Sequence, residues 1–338
     1  MRGMNTVSWG ILGCGNVTEV KSGPAFHRVP HSSLAAVMRR DGTKAEDYAR
    51  RHGVPRWYSD AEALIRDPGV NAVYIATPPG FHCELALKVA EAGKPCYVEK
   101  PMARNAEECL RMVDAFRKAG QPLFVAYYRR GLPHFRRVKE VIDSGELGRL
   151  RGLNYFYSND LLRNGVDPNA WRYQPEISGG GLFWDLGSHA LDLFDWWLGP
   201  LEATSGHCLR RTETSPVEDR AALTAVTNGG VSVAASWNFL SPFHVDRVEL
   251  TFDDGDIRCP VFGSTTLEFR LADGSTREED HPHGPHIQEN LISSIVEAIR
   301  TGSPAPSTGE SAMRTNQVMD RVAGRCGQAR CGGDEGSV

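Results

Sequence analysis

The sequence predicts an α/β protein built from a doubly wound parallel sheet followed by an α/β domain with a large, mainly antiparallel open sheet. Three observations support this. Short apolar strands alternate with helices over the first ~125 residues, glycines end the first strand, and hairpin-linked strands follow residue 130. At about 150 residues per domain, a chain of 338 residues has room for two domains.

The first half reads as a regular βαβ series. Apolar runs predict strands over 7–12, 34–38, 72–76, 95–98 and 123–127. Amphipathic stretches predict helices over 44–52, 61–65, 83–92 and 106–119. Gly53, Gly93 and Gly120 follow three of these helices, the usual position of a C-terminal glycine. The rhythm predicts a doubly wound parallel sheet.

The second half has a different pattern. Helices are predicted over 135–144, 185–198 and 286–300, and strands over 150–157, 221–227, 231–238, 246–252 and 265–271. Hairpin turns are predicted at Asn228-Gly229-Gly230 and around Gly255. We therefore expect domains at 1–127 and 128–322, and a poorly ordered Gly- and Cys-rich tail at 323–338.

Composition excludes several classes of protein. A formal net charge of −4 and a pI near 6.3 argue against nucleic-acid binding. No apolar run approaches the ~18 residues of a membrane span, and no apolar signal segment opens the chain, so we expect a cytoplasmic protein without a membrane partner. The eight cysteines form no CxxC pair, which favours free thiols over disulfides or a metal site.

A glycine turn at the end of the first strand indicates a nucleotide site. Gly13 permits a tight turn and Gly15 lets the backbone approach a pyrophosphate, with Asn16 and Val17 opening the next helix. Thr18 occupies the position of the third glycine in the GxGxxG pattern. The location, after a strand and before a helix, favours nucleotide binding over a plain turn.

The end of the second predicted strand bears on the choice of cofactor. Arg39 and Arg40 stand where an acidic residue would bind the ribose 2′-hydroxyl of NAD. A guanidinium pairs with a 2′-phosphate, so NADP(H) is favoured, although NAD(H) is possible. Asp41 is expected to point away, and the alternative for the arginine pair is a solvated basic loop.

Two further strand ends carry polar residues. Glu99-Lys100-Pro101 follows the strand at 95–98, and Lys100 there can hydrogen-bond a substrate oxygen. Thr77 and Pro78 follow the preceding strand and could border the nicotinamide. For His82, contact with the pocket and capping of the next helix are both open.

A glycine run at 179–181 precedes the most informative stretch of the chain. If a helix starts after it, Asp185 and His189 stand four residues apart on one face, and Asp192 shares that side. A carboxylate beside an imidazole can act as a general acid and base pair. The alternative is a structural Asp–His pair.

Together these motifs resemble the Gfo/Idh/MocA family over about residues 5–320. The resemblance implies an N-terminal Rossmann domain and a C-terminal sheet that forms a homodimer or homotetramer. It also implies NAD(P)-dependent oxidation or reduction of a sugar or polyol. Alternatives are a non-sugar substrate such as a dihydrodiol, or a catalytically silent nucleotide sensor, against which the retained catalytic set counts.

The resemblance also implies roles for individual residues. Catalysis falls on Lys100, Asp185 and His189: His189 exchanges the hydroxyl proton, Lys100 hydrogen-bonds that oxygen, and Asp185 orients the group. At the cofactor the expected contacts are Glu99, which has a mainly structural role, Lys100, Trp171 and Arg172, whereas Tyr128 and Asp192 are expected to face the substrate. Trp171, Arg172 and Tyr128 could instead be packed between the domains, and Asp192 could instead support its helix.

Overall fold

The computed structural model describes residues 5–163, 167, 169–213 and 215–325. Within them the strands form two sheets, and the first is parallel with the order β3-β2-β1-β4-β5-β6. Its strands are β1 (Val7–Leu12), β2 (Ser32–Met38), β3 (Trp57–Tyr58), β4 (Ala72–Ile75), β5 (Cys96–Val98) and β6 (Leu123–Val125). The chain order reverses between β1 and β4, and such a crevice is where ligands bind in open α/β sheets.

Helices cover both faces of this sheet. The helices of the described chain are α1 (Asn16–Val20), α2 (Ala25–Arg28), α3 (Gly42–His52), α4 (Ala61–Arg66), α5 (His82–Glu91), α6 (Ala106–Ala119), α7 (Pro133–Ser144), α8 (Pro175–Ser178), α9 (Ser188–Leu198), α10 (Glu289–Thr301) and α11 (Gly309–Val322). Gly53 and Gly120 end α3 and α6 with φ of 65° and 63°, in the left-handed region where glycine is favoured.

The second sheet has the order β14-β13-β12-β11-β7-β10-β9-β8. Its strands are β7 (Leu150–Ser158), β8 (Leu201–Leu209), β9 (Arg220–Thr227), β10 (Ser232–Asn238), β11 (Val245–Phe252), β12 (Gly255–Cys259), β13 (Thr266–Leu271) and β14 (Thr276–Asp280). Neighbours are antiparallel except β7 and β10, which run parallel. Buried side chains alternate along β7, β9 and β10, as expected when one face covers a core.

The fold class predicted from the sequence is confirmed, including both hairpin turns. The elements that were not predicted are the nine-residue strand β8, the polar edge strand β14, the short strands β3 and β12, the short helices α2 and α8, and α11. The single helix predicted over 185–198 is wrong at its start. A wide π-type turn covers Phe183–Gly187, and the regular helix begins only at Ser188.

The last helix ties the second half of the chain back to the first. Thr308 caps α11, and its side chain and that of Ser311 exchange hydrogen bonds with each other's backbone. Just before it, the Ser307 hydroxyl donates to the carbonyl of Val125 in β6 at 2.8 Å. One apolar cluster then runs from Trp9 in β1 to Trp237 in β10. The two halves therefore share a continuous core.

Asp192 belongs to this packing and not to a substrate surface. It is fully buried, and its carboxylate accepts two hydrogen bonds from Arg130, at 2.8 and 2.7 Å. Arg130 also donates to the carbonyl of Pro306 at 2.8 Å. The prediction that Asp192 faces the substrate is therefore wrong, because Arg130 occupies both of its oxygens. The pair joins α9 to the segment before α7.

The described cysteines are free: Cys14, Cys83, Cys96, Cys109 and Cys259 are buried and Cys208 is partly buried. The predicted Gly- and Cys-rich tail lies outside the described residues from 326 onwards. In the part of the chain that the structure describes, no helix is long and apolar enough to span a bilayer.

Removing Asp192 tests the buried pair. We expect Asp192→Ala to lower the free energy of unfolding by about 3 kcal/mol, because the buried Arg130 guanidinium loses its two closest carboxylate oxygens and keeps only Asp195, 3.5 Å away, as an acidic partner. Urea denaturation followed by tryptophan fluorescence measures this. Glu297→Ala is the matched control: it removes an exposed pair with Arg300 and should cost less than about 1 kcal/mol. Equal losses in the two variants would contradict a stabilising role for the pair.

Candidate active site

The glycine turn after β1 lies at the carboxyl edge of the parallel sheet. The Gly13 N–H donates to the carbonyl of Met38 at 2.9 Å, and its φ is 90°. A Cβ on Gly13 would lie 2.8 Å from Cγ2 of Thr77, so only glycine fits this close approach. A Cβ on Gly15 would meet no other atom closer than 3.9 Å. The turn is therefore tightly packed around Gly13 and open around Gly15, where the backbone of a dinucleotide-binding turn approaches the pyrophosphate.

Thr18 is compatible with this turn although it replaces a glycine. Its hydroxyl donates to the carbonyl of Gly15 at 2.7 Å, and the residue is fully buried. The close approach is found instead at Gly23, where a Cβ would lie 2.1 Å from the carbonyl oxygen of Thr18. Asn16 is exposed and Val17 partly exposed at the start of α1. The donor set therefore fits a dinucleotide.

The end of β2 presents basic side chains. Arg39 donates only a long bond, 3.4 Å to the carbonyl of Cys14, and is partly exposed. The Arg40 guanidinium lies 5.4 Å from the ring centroid of Phe81. Asp41 caps α3 by accepting the N–H of Lys44 at 3.3 Å, so its carboxylate is used away from the arginines. No acidic side chain of the described residues forms an ion pair with Arg39 or Arg40.

His82 lies beneath the site and not on its surface. It is fully buried, with Nε2 2.7 Å from the carbonyl of Thr77 and Nδ1 3.1 Å from that of Pro101. The expected pocket contact of His82 is therefore wrong, because no part of the ring is exposed. His82 joins the loops after β4 and β5, where partly exposed Thr77 and Pro78 lie.

Glu99 is held in a buried hydrogen-bond network between the two halves of the chain. Its Oε1 accepts the Tyr74 hydroxyl at 2.5 Å and Gln288 Nε2 at 2.7 Å, and Oε2 accepts the N–H of Lys100 at 3.2 Å. The Tyr97 hydroxyl donates to Gln288 Oε1 at 2.7 Å. These donors occupy the Glu99 carboxylate, which fits a structural role better than direct contact with a cofactor.

Lys100 crosses from β5 to the second half of the chain. Its Nζ donates to Asp185 Oδ1 at 2.5 Å and to the Asp185 carbonyl at 2.9 Å. Arg172 Nε donates to the other carboxylate oxygen at 3.2 Å and stacks on Trp171 at 4.5 Å. Burial would raise the pKa of Asp185, but Lys100 and Arg172 outweigh it and hold the pKa below its usual value.

The glycine run lets the chain reach Lys100. Gly179 has a φ of 84°, and a Cβ there would lie 2.5 Å from the carbonyl oxygen of Arg104. Glu218 binds the run from across the domain: its Oε1 accepts the N–H groups of Gly181 and Phe183 at 2.9 and 3.0 Å. The glycine run is thus fixed by packing against Arg104 on one side and by the half-buried Glu218 carboxylate on the other.

His189 lies against an aromatic wall. Its ring centroid is 5.3 Å from that of Tyr128, 6.2 Å from Tyr127 and 6.0 Å from Phe262. Nδ1 is buried without a hydrogen-bond partner in the described residues. Burial lowers the pKa of His189 well below its ordinary value, and the nearby cations Arg129, Lys100 and Lys21 lower it further, so the ring is neutral at pH 7.

The predicted pairing of Asp185 with His189 is not formed. A spacing of four residues puts two side chains together only on a regular α-helix, and the π-type turn removes that register. Asp185 binds Lys100 and Arg172, whereas His189 packs among aromatic rings. Asp185 still reaches the carboxyl edge of the parallel sheet, where it binds Lys100, and the charge of Lys100 also lowers the pKa of His189.

Sequence reasoning missed three residues that shape the site: Glu218, Gln288 and Phe262. The hydrogen-bond partners of Glu218 and Gln288 lie 35 to 191 residues away in the chain, so no local spacing reveals these two residues. Among the described residues, no group of three or more His, Cys, Asp or Glu side chains is placed to hold a metal.

Comparison with known proteins identifies the family. Residues 7–127 match the profile described as the GFO/IDH/MocA oxidoreductase family with an NAD-binding Rossmann fold, and residues 135–258 match its C-terminal domain. The chain belongs to the Gfo/Idh/MocA family of oxidoreductases. The resemblance inferred from the motifs is therefore confirmed, and the N-terminal half is an NAD-binding Rossmann domain.

Several relatives in this family align over nearly the whole chain. Oxidoreductase P35 of Formosa agariphila is 36% identical and covers 94% of this chain and 98% of its own. Inositol 2-dehydrogenase 2 of Saccharopolyspora erythraea is 33% identical over 91% of this chain and 88% of its own. The structure of levoglucosan dehydrogenase with NADH and levoglucosan superposes with a TM-score of 0.85 at 23% identity, covering 95% and 97% of the two chains.

Proposed function

We propose that this Gfo/Idh/MocA oxidoreductase interconverts a CH–OH group and a carbonyl on a sugar, polyol or related small molecule, with NADP(H) as the preferred cofactor. The observation that carries the proposal is the state of Lys100. An ammonium has three N–H donors, and Asp185 accepts two of them. The third is free to bind a substrate oxygen at the carboxyl edge of the Rossmann sheet.

The roles of the site residues follow from their surroundings. When bound, the nicotinamide cofactor supplies or accepts the hydride. Lys100 hydrogen-bonds the reacting oxygen and stabilises the negative charge that develops on it. Neutral His189 takes the hydroxyl proton during oxidation and returns it during reduction. Ionised Asp185 keeps Lys100 charged and aimed, and Tyr128 borders the substrate beside His189.

The substrate class draws support from the relatives. Two are named for dehydrogenation of inositol, at 33% and 30% identity, and one for dehydrogenation of levoglucosan, at 35% identity over 48% of this chain. Another is named trans-1,2-dihydrobenzene-1,2-diol dehydrogenase. Each name describes a carbinol carbon on a ring. The proposal therefore assigns this reaction type to the chain and leaves the identity of the substrate ring open.

The preference for NADP(H) rests on the end of β2. Arg39 retains most of its donors, Arg40 is exposed, and the Asp41 carboxylate that could bind a ribose 2′-hydroxyl caps α3 instead. A 2′-phosphate beside two unpaired guanidinium groups gains charge-assisted hydrogen bonds that a hydroxyl does not. Gly13, Gly15, Asn16, Val17, Thr77 and Pro78 would hold the rest of the cofactor along the same edge.

Removal of the lysine tests the catalytic assignment. We expect Lys100→Ala to lower kcat at least about 100-fold on any polyol that the wild type turns over, because the reacting oxygen loses its charged donor. NADPH affinity, measured by fluorescence titration, should change less than about threefold. Lys88→Ala is the control, since Lys88 pairs with Glu84 on the outer face of α5. Tight cofactor binding by the wild type with no turnover on a broad panel would instead favour a nucleotide sensor.

The cofactor preference has its own test. Arg39→Ala should weaken NADPH binding roughly tenfold, because a charge-assisted hydrogen bond contributes about 1.5–3 kcal/mol, while NADH binding stays nearly constant. Arg50→Ala, which removes an exposed arginine of α3 paired with Asp47, is the matched control. Similar affinities for NADH and NADPH that are unaltered in Arg39→Ala would remove the argument.

We further propose that the chain forms a homodimer or homotetramer through the outer face of the second sheet. That face carries Phe156 on β7 and Val226 on β9, each 42% exposed, with β10 between the two strands. Exposed apolar residues on a broad sheet are typical of subunit contacts. Phe156→Glu should shift the mass measured by light scattering toward a monomer. A monomeric wild type at micromolar concentration would contradict this assembly.

A further inference from the structure

Arg129 is a buried cation that has no acidic partner in the described residues. It is 5% exposed, and its Nε donates to the carbonyl of Val261 at 2.9 Å. Its Nη1 is buried and has no hydrogen-bond partner among these residues. An unpaired guanidinium in the interior is costly, and an anion that binds it offsets part of that cost.

The position of Arg129 places it in the chamber of His189. Its guanidinium carbon lies 4.4 Å from the ring centroid of Phe262 and 5.0 Å from that of Tyr128. The same two rings lie against His189, at 6.0 and 5.3 Å between ring centroids. Arg129 is therefore separated from the predicted proton-transfer group by the width of one side chain.

A second cation without an ion pair among the described residues, the exposed Lys21, lies at the domain junction on the Rossmann side. Lys21 follows α1, and its carbonyl accepts the N–H of Gln288 at 3.2 Å, which places it at the junction of the two domains. No carboxylate of the described chain lies within ion-pair distance of its side chain. Lys21, Arg129 and Lys100 are the charges that depress the pKa of His189.

No nearby carboxylate of the described residues forms an ion pair with Arg129 or Lys21. Asp185 neutralises Lys100 and also binds Arg172, while Asp192 is taken by Arg130. Asp246 interacts with Arg129 through its charge but lies beyond ion-pair distance, and its oxygens accept the backbone N–H groups of residues 261 and 262, at 3.0 and 2.6 Å. Within the described chain, Arg129 and Lys21 therefore each lack an ion pair, one in each domain.

We propose that the substrate is a polyhydroxy carboxylate, such as a sugar acid, whose carboxylate binds between Arg129 and Lys21 while its reacting CH–OH group meets Lys100 and His189. This rests on the proposed function and narrows it. Arginine and lysine recognise carboxylates through charge-assisted hydrogen bonds, and the stacked, pre-oriented Arg129 loses little side-chain freedom on binding. A neutral polyol leaves both cations without a partner.

The test uses matched pairs of substrates that differ only at C6: D-glucuronate with D-glucose, and D-galacturonate with D-galactose. At constant ionic strength and with NADP⁺, the acid of the best pair should have at least about a tenfold higher kcat/KM than its neutral partner. Lys21→Met should reduce that ratio about tenfold through KM. The matched control is Lys88→Met, which should leave the ratio unchanged.

A binding measurement separates this inference from the proposed function. Thermal unfolding of the cofactor-loaded chain should shift upward with the acids and not with the neutral sugars. An acid-specific shift without turnover of any pair supports the anion site and contradicts the proposed function. Turnover of the neutral members alone, or an acid-to-neutral ratio that is unchanged in Lys21→Met, overturns the anion site and leaves the proposed function standing.

Two further results bear on the individual residues. If Lys21→Met weakens NADP⁺ binding while the acid-to-neutral ratio persists, Lys21 belongs to the cofactor site and the proposal is overturned. Arg129 is buried, so Arg129→Met can fail to fold. Arg129→Lys keeps the charge and shortens the fork, and it should lower the ratio while unfolding at a temperature close to that of the wild type.

Discussion

The ion pair between Lys100 and Asp185 is the contact on which the site depends. Lys100 ends a strand of the Rossmann sheet and Asp185 lies in the turn before α9, so the pair exists only when the two halves are in register. Its net contribution to stability is small, because desolvation offsets most of the attraction in a pair this buried. Its importance is positional: it directs one free N–H of the lysine toward the space where a substrate oxygen can bind.

Other polar contacts hold that register, one between the domains and two within them. Gln288 enters the Rossmann domain and binds Glu99, whose carboxylate also accepts the backbone N–H of Lys100. Within the Rossmann domain, the buried His82 joins the carbonyl groups of the loops after β4 and β5. Within the second domain, the half-buried Glu218 fixes the glycine run that precedes Asp185. Because each of these side chains is hydrogen-bonded to another segment of the chain, the arrangement is rigid and specific.

The sequence was a good guide where function depends on local backbone geometry. Gly13 and Gly120 were interpretable because a tight turn and a helix end each require a residue with positive φ. It was a poor guide where the geometry departs from a regular element: four-residue spacing led to an Asp185–His189 pair that the π-type turn prevents. β14 was missed because exposed polar residues dominate it, so no apolar alternation marks it. Gln288 carries no local signal, since its partner Glu99 is 189 residues away.

Positive charges without an ion pair are concentrated at a few positions of the described chain. The formal net charge is −4, yet Arg39, Arg40, Arg129 and Lys21 have no acidic partner within ion-pair distance in the described residues. Isolated surface cations need no explanation, but a buried guanidinium without an ion pair does. The two proposals assign one anionic group to each pair of cations: the 2′-phosphate of the cofactor to Arg39 and Arg40, and the carboxylate of the substrate to Arg129 and Lys21. Because an anion bound at Arg129 and Lys21 removes part of the positive field on His189, it also raises the basicity of that ring at the moment when the ring has to take a proton.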